Sequence, residues 1–154
     1  MRRTEYAKDY EPRDASKLRV GIVVSRWNSD ITERLLAGAQ EILRAWHVAP
    51  KRVTVMHVAG SFEIPYVCLA LIKKKKPDAV IALGCIIKGE TDHDRYIASA
   101  VSHGIMQVSL SQKIPVSFGI ITANNLKQAE ARATGDANKG KEAAVAALEA
   151  ALLK

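Results

Sequence analysis

Within one short stretch of this chain, Ala79 to Gly104, an apolar run is followed by two glycines, a carboxylate–threonine pair and a histidine. Ala79 to Leu83 reads as a strand buried on both faces, Gly84 to Thr91 as a turn, and Asp92 onward as a helix with Tyr96, Ile97, Ala100 and Val101 on one face. Glycines let backbone N–H groups approach a ligand, and a helix N-terminus presents partial positive charge, so this turn suits an anion. His93 falls in the first turn of that helix, which sets a group titrating near neutral pH beside the anion cradle. The chemistry on offer is proton transfer next to a phosphate or carboxylate. The spacing Gly84-x4-Gly89-Glu90-Thr91 misses a nucleotide P-loop by one residue. Glu90 stands where lysine is required, and its carboxylate repels a triphosphate. No apolar strand ends in a lone aspartate able to hold magnesium, so the pattern speaks against nucleoside triphosphate hydrolysis.

Other residues with chemical potential lie near strand ends. Trp27 follows the first apolar run, where an indole either plugs the core or offers a stacking platform to a planar ligand. Phe62 and Glu63 precede a helix: they are helix-entry packing with a dipole-favoured acid, or an acceptor for ligand hydroxyls and N–H groups. Of the four histidines, His57 lies in a strand, His103 late in a helix and His47 at a helix end. Only His93 joins a strand-end loop to nearby glycines, which makes it the candidate acid/base. On spacing alone, Arg132 and Lys139 are solvated cations near helix ends.

The elements that must position these groups follow from the order of the chain. Leu18–Ser25 is the first strand, and a helix capped by Ser29 or Asp30 follows it. That helix carries Ile31, Leu35, Leu36, Ala39, Ile42, Leu43 and Trp46 on one stripe. Val53–Val58 is the second strand, and Pro65 places the start of the second helix near Ile64. After the stretch already described, Pro115–Thr122 is the fourth strand. A short helix over Leu126–Ala133, a glycine-punctuated turn over Thr134–Gly140 and a last helix over Glu142–Leu153 complete the chain. Strand and helix alternate four times, which predicts an α/β three-layer sandwich with a four-stranded parallel sheet. Ligands of such sheets sit beyond the carboxyl ends of the strands, where every candidate above falls.

Size and composition are consistent with this plan. The chain has 154 residues, 48% hydrophobic and 25% charged, enough for one folded domain. Only 5% are aromatic, and the formal charge is +7. A basic balance fits nucleic acid or an anionic small molecule, but no aromatic–basic interleaving and no Cys/His zinc spacing appears. Lys73–Lys76 ends a helix, where it complements the dipole and stays solvated. Cys68 and Cys85 lie in apolar segments and read as free buried thiols. No signal peptide or membrane-length apolar run is present, so the expected compartment is the cytoplasm, with neither membrane nor nucleic acid as partner. Residues 1–17 form a polar tail in which Tyr6 and Tyr10 are positioned to dock on a neighbouring subunit. Residues 18–154 form the single domain.

Arg26-Trp27-Asn28, Gly60-Ser61-Phe62-Glu63-Ile64-Pro65, Gly89-Glu90-Thr91-Asp92-His93 and Asn138-Lys139-Gly140 occur in register over Leu18–Leu153. In this the chain resembles the 6,7-dimethyl-8-ribityllumazine synthases, enzymes of the penultimate step of riboflavin synthesis. The resemblance implies a flavodoxin-like sheet extended by a neighbour's N-terminal strand. It also implies a cofactor-free transferase joining 5-amino-6-(D-ribitylamino)uracil to 3,4-dihydroxy-2-butanone 4-phosphate. Matched by position, Trp27 stacks on the pyrimidine, Ser61, Phe62 and Glu63 hold the ribityl chain, and Cys85, Ile86 and Ile87 line the ring pocket. Glu90 and Thr91 hold the phosphate through their amides, Arg132 clamps it, and His93 transfers protons. Phe118 closes the site from an adjacent subunit. The resemblance further implies homopentamers, or decamers and sixty-chain icosahedral shells built from them, with active sites at subunit interfaces, and riboflavin synthase as a partner. Two departures stand out. Asp94 and Arg95 replace an aromatic and an acid, and the interval from Arg132 to Lys139 is one residue short. Asp94 either bonds to His93 or pairs with Arg95 in solvent, the second being favoured on pattern. Rival readings are a non-catalytic flavin- or phosphate-binding module and a structural shell subunit.

Overall fold

The structure, a computed structural model, describes residues 11–153. The expectations for Tyr6 and Tyr10 lie outside the described residues. Strands β1 (Val20–Ser25), β2 (Val53–Val58), β3 (Ala79–Ile87) and β4 (Val116–Ala123) form one parallel sheet in the order β2-β1-β3-β4. Helices α1 (Ser29–Ala45), α4 (Leu126–Ala131) and α5 (Lys139–Leu152) cover one face, and α2 (Ile64–Lys75) and α3 (His93–Gln112) the other. This is the three-layer, flavodoxin-like α/β arrangement.

The period of two along the central strands sorts their side chains into two cores. Ala79, Ile81, Leu83 and Cys85 of β3 face α1 and α5, while Val80, Ala82 and Ile86 face α2 and α3. A strand buried on both sides needs an unbroken apolar run, and β3 has one. The stripe on α1 is buried as its spacing predicts, with the Trp46 indole wholly enclosed. Emptying a site of that size costs about 3–5 kcal/mol.

Several boundaries and one helix face differ from the sequence reading. Strand β3 does not end at Leu83 but continues to Ile87, because β4 keeps pairing with it as far as Ile87–Ala123. Gly84 is therefore a strand residue. A Cβ there would lie 2.6 Å from Ser61 Oγ and 3.2 Å from Ile64 Cδ1, so the glycine lets the segment after β2 pack onto the strand. Gly140 likewise lies inside α5, where it meets the backbone of Leu35 on α1. On α3 the expected stripe divides: Val101 is buried and Ile97 half-buried, whereas Tyr96 and Ala100 are exposed, and the buried row continues instead through Ile105 and Val108. The described part of the tail, residues 11–17, is anchored on its own domain, since Ala15 is buried and its N–H donates to Trp46 O at 2.9 Å.

Asn138 ties three segments together. Its Nδ2 donates to Arg34 O (2.9 Å) and Ala133 O (3.0 Å), and its Oδ1 accepts from Gly140 N (2.8 Å). One buried amide thus caps α5, holds the end of α4 and pins both to α1.

Candidate active site

The chain leaves β1 for β2 and then crosses back over β1 to β3, so a crevice opens where the connections diverge. A cleft of about 940 Å³ occupies it. Backbone bonds bring its walls together: Arg26 N donates to Val58 O at 2.8 Å and Trp27 N to Ala59 O at 3.0 Å, joining the ends of β1 and β2. Asn28 closes the third side. It holds a left-handed backbone (φ 60°) and its Nδ2 donates to Cys85 O at 3.0 Å, which links the start of α1 to β3. Asparagine tolerates that conformation better than most residues. No role was assigned to Asn28 from the sequence. The signal for one was an Asn at the point where a strand must turn abruptly into a helix.

Most of the sequence candidates meet here. Trp27 projects from the end of β1 with 74% of its surface exposed, so it is not a core plug. Phe62 is also largely exposed on the cleft, and Tyr96, which had been placed in the helix stripe, adds a third ring. Ser61 is buried beneath them. Glu63 turns back so that Oε2 accepts from Gly60 N at 2.9 Å. Cys85, Ile86 and Ile87 form the floor from the last turn of β3, as strand residues rather than loop residues. Burial pushes the Cys85 thiol up to about 11, and the Cys68 thiol on the buried face of α2 to about 12, so both stay protonated. Both cysteines are free.

On the far side Gly89, Thr91 and His93 complete the wall. The His93 N–H reaches Thr91 Oγ1 at 3.4 Å, and the N-cap residue Asp92 adds no side-chain bond to α3, whose first residues line the cleft. The His93 ring is exposed and makes no hydrogen bond among the described residues. Asp94 also lines the cleft, unpaired with Arg95. The solvent ion pair favoured on pattern does not form.

Three candidates stand apart. Glu90 is exposed on the loop between Gly89 and Thr91 and does not line the cleft. Phe118 sits on β4 opposite Ala82, 47% exposed and away from the cleft. Arg132 ends α4, its Nη1 donating to Gln128 O at 2.9 Å, also away from the cleft. Lys139 is held by Glu142 at 2.6 Å. Among the described residues no Lys or Arg lines the cleft, whose charged residues are Glu63 and Asp94 beside His93. Among the described residues no three His, Cys, Asp or Glu side chains cluster as a metal would require, and no helix is long and apolar enough to cross a membrane.

Comparison with known proteins meets this geometry. The family model described as 6,7-dimethyl-8-ribityllumazine synthase matches residues 17–154. A protein of that name from Parabacteroides distasonis is 44% identical over 137 residues, spanning 88% of this chain and 86% of its own. Another from Porphyromonas gingivalis is 44% identical over 148 residues, 95% of this chain and 92% of its own. Matched over nearly its whole length by that family and by these relatives, this chain belongs to the 6,7-dimethyl-8-ribityllumazine synthase family.

Proposed function

We propose that this chain condenses 5-amino-6-(D-ribitylamino)uracil with 3,4-dihydroxy-2-butanone 4-phosphate to 6,7-dimethyl-8-ribityllumazine, releasing phosphate and water. The observation that carries the reading is the meeting of Trp27, Phe62, Glu63 and His93 around one cleft at the strand tips of a member of this family. Trp27 stacks on the pyrimidinedione. Ser61, Phe62 and Glu63 hold the ribityl chain, with Glu63 Oε1 left for a ligand hydroxyl, and Cys85 to Ile87 support the ring through main-chain groups. Imine formation, phosphate loss and ring closure each move protons near neutral pH, the task of the free His93 imidazole. No cofactor enters: holding the two reactants together supplies ~7–11 kcal/mol of the barrier.

Phosphate needs positive charge in order to leave. The amides of Glu90 and Thr91 and the N-terminal end of α3 offer part of it, yet no cationic side chain among the described residues lines the cleft. Arg132 and Phe118 therefore enter from a neighbouring copy, the Arg clamping phosphate and the Phe covering the ring. Exposed apolar residues support such assembly: Tyr96, Met106 and Leu110 share one uncovered face of α3. The assembly is a homopentamer or a multiple of it, decamer or icosahedral shell, in the cytoplasm, with riboflavin synthase as a partner. Residues 1–17 form a tail whose first part reaches a neighbour's sheet edge, and 18–154 are the catalytic domain.

Incubation with both substrates should give the fluorescent lumazine; none from protein that binds the pyrimidine would end the catalytic reading. His93→Ala and Arg132→Ala should each be nearly inactive. Refolded together in equal amounts they should recover about one quarter of parental turnover, because a site is intact only where a good cleft meets a good neighbour. No recovery would put both residues in one chain's site.

A further inference from the structure

Asp94 is the one charged residue of the cleft lining that the chemistry above leaves unused. It is the second residue of α3 and lines the cleft next to His93. Its Oδ1 is sealed from solvent without a hydrogen-bond donor, a state no other carboxylate oxygen shares among the described residues. The nearby helix amides do not serve it, since Arg95 N and Tyr96 N both donate to Asp92 O. It belongs to none of the ion pairs of the described residues. A desolvated carboxylate oxygen with no donor works against folding, so the residue is poorly explained by stability. An aromatic ring, the side chain expected at this position, would have closed the same wall without that cost.

We infer that Asp94 is a specificity-determining carboxylate, which accepts a hydrogen bond from an N–H or O–H group of the ribitylaminouracil bound in the cleft. The inference rests on the synthase reading for the identity of that ligand. Charge decides between the two substrates. Butanone phosphate is an anion that a carboxylate repels, whereas the pyrimidine carries ring N–H, amino and hydroxyl donors and no charge. Because Asp94 already lines the cleft, a turn about χ1 would bring its carboxylate to such a donor. Glu63 lies on the β2 side of the cleft and is partly engaged by Gly60 N, so the two acids take different donors of one ligand.

Asp94→Asn keeps the shape and removes the charge, and Asp94→Phe restores the aromatic. The KM for ribitylaminouracil should rise about tenfold in Asp94→Asn and further in Asp94→Phe. The KM for butanone phosphate should stay within about twofold. Thermal midpoints of both variants should equal or exceed the parent's, because an unpaired acid has gone. An unchanged pyrimidine KM overturns the inference. So does a parallel rise in both KM values with a lowered midpoint, which marks a structural role, or an altered assembly mass, which marks a subunit contact. Calorimetric binding of the pyrimidine alone keeps the two readings apart. Binding to the parent without turnover ends the synthase reading, and the dissociation constant of Asp94→Asn still decides for or against Asp94.

Discussion

Replacing Gly140 with alanine tests how the scaffold holds the cleft. Helix α5 approaches α1 so closely that a Cβ on Gly140 would fall 1.9 Å from Leu35 O, 2.6 Å from Leu35 C and 2.9 Å from Leu35 Cα. All three are backbone atoms and cannot rotate away. Reaching the 3.4 Å of ordinary contact requires the helices to part by roughly 1.5 Å, the difference between 3.4 and 1.9. That opens the packing of Leu35, Ala39, Ala143, Ala144 and Leu148, each nearly or wholly buried. Alanine gains about 1 kcal/mol over glycine as a helix former. Forced overpacking costs ~1–3 kcal/mol when side chains can yield, and the rigid contact here puts the cost at or above the top of that range. The net loss is about 2 kcal/mol, or a fall of roughly 4–8 °C in the thermal midpoint for a chain of this size. Circular dichroism melts measure it, with Gly89→Ala as the control: nothing lies within 4 Å of a Cβ there. The control should move by no more than about 1–2 °C. Since α1 begins directly after Trp27 and Asn28, pyrimidine affinity should weaken in Gly140→Ala well below the melting range. A midpoint equal to the parent's would show that this contact does not set the spacing of the two helices.

Asn28→Gly keeps the left-handed backbone and loses only the bond to Cys85 O, whereas Asn28→Ala loses both. Their stability losses should be about 1 and 2 kcal/mol by urea titration, and equal losses would mean the backbone conformation carries no cost. Both thiols should resist iodoacetamide at pH 8 in the folded protein, since burial raises them from an ordinary 9.0 to about 11 and 12. Folding favours the protonated form, so the stability linked to these thiols is complete below pH 9 and declines as pH rises from 9 towards 12. Rapid labelling of either cysteine at pH 8 would contradict the burial.

What the chain discloses on inspection and what it withholds differ in the range of the interactions involved. The stripe from Ile31 to Trp46 was legible because helical spacing is local, and all seven of its residues are buried. The motifs at the strand ends were legible for a similar reason, and the parallel topology alone carries them to one crevice. Gly84 and Gly140 were misread as turn residues because glycine has two uses, turning the chain and admitting a neighbour. Only tertiary contact, Ser61 in one case and Leu35 in the other, reveals the second use. Even so, the first error had a local remedy. Leu83, Cys85, Ile86 and Ile87 surround Gly84 with apolar residues, a pattern of strand interiors rather than turns. Arg132 and Phe118 present a different difficulty: the resemblance places them in the site, yet both lie away from the cleft of their own chain, and sequence order does not say which copy would supply them. Among the described residues the cleft holds Glu63 and Asp94 but no lysine or arginine, a lining that repels a phosphate. That shortfall among the described residues is the physical support for the proposal that a second copy completes the site.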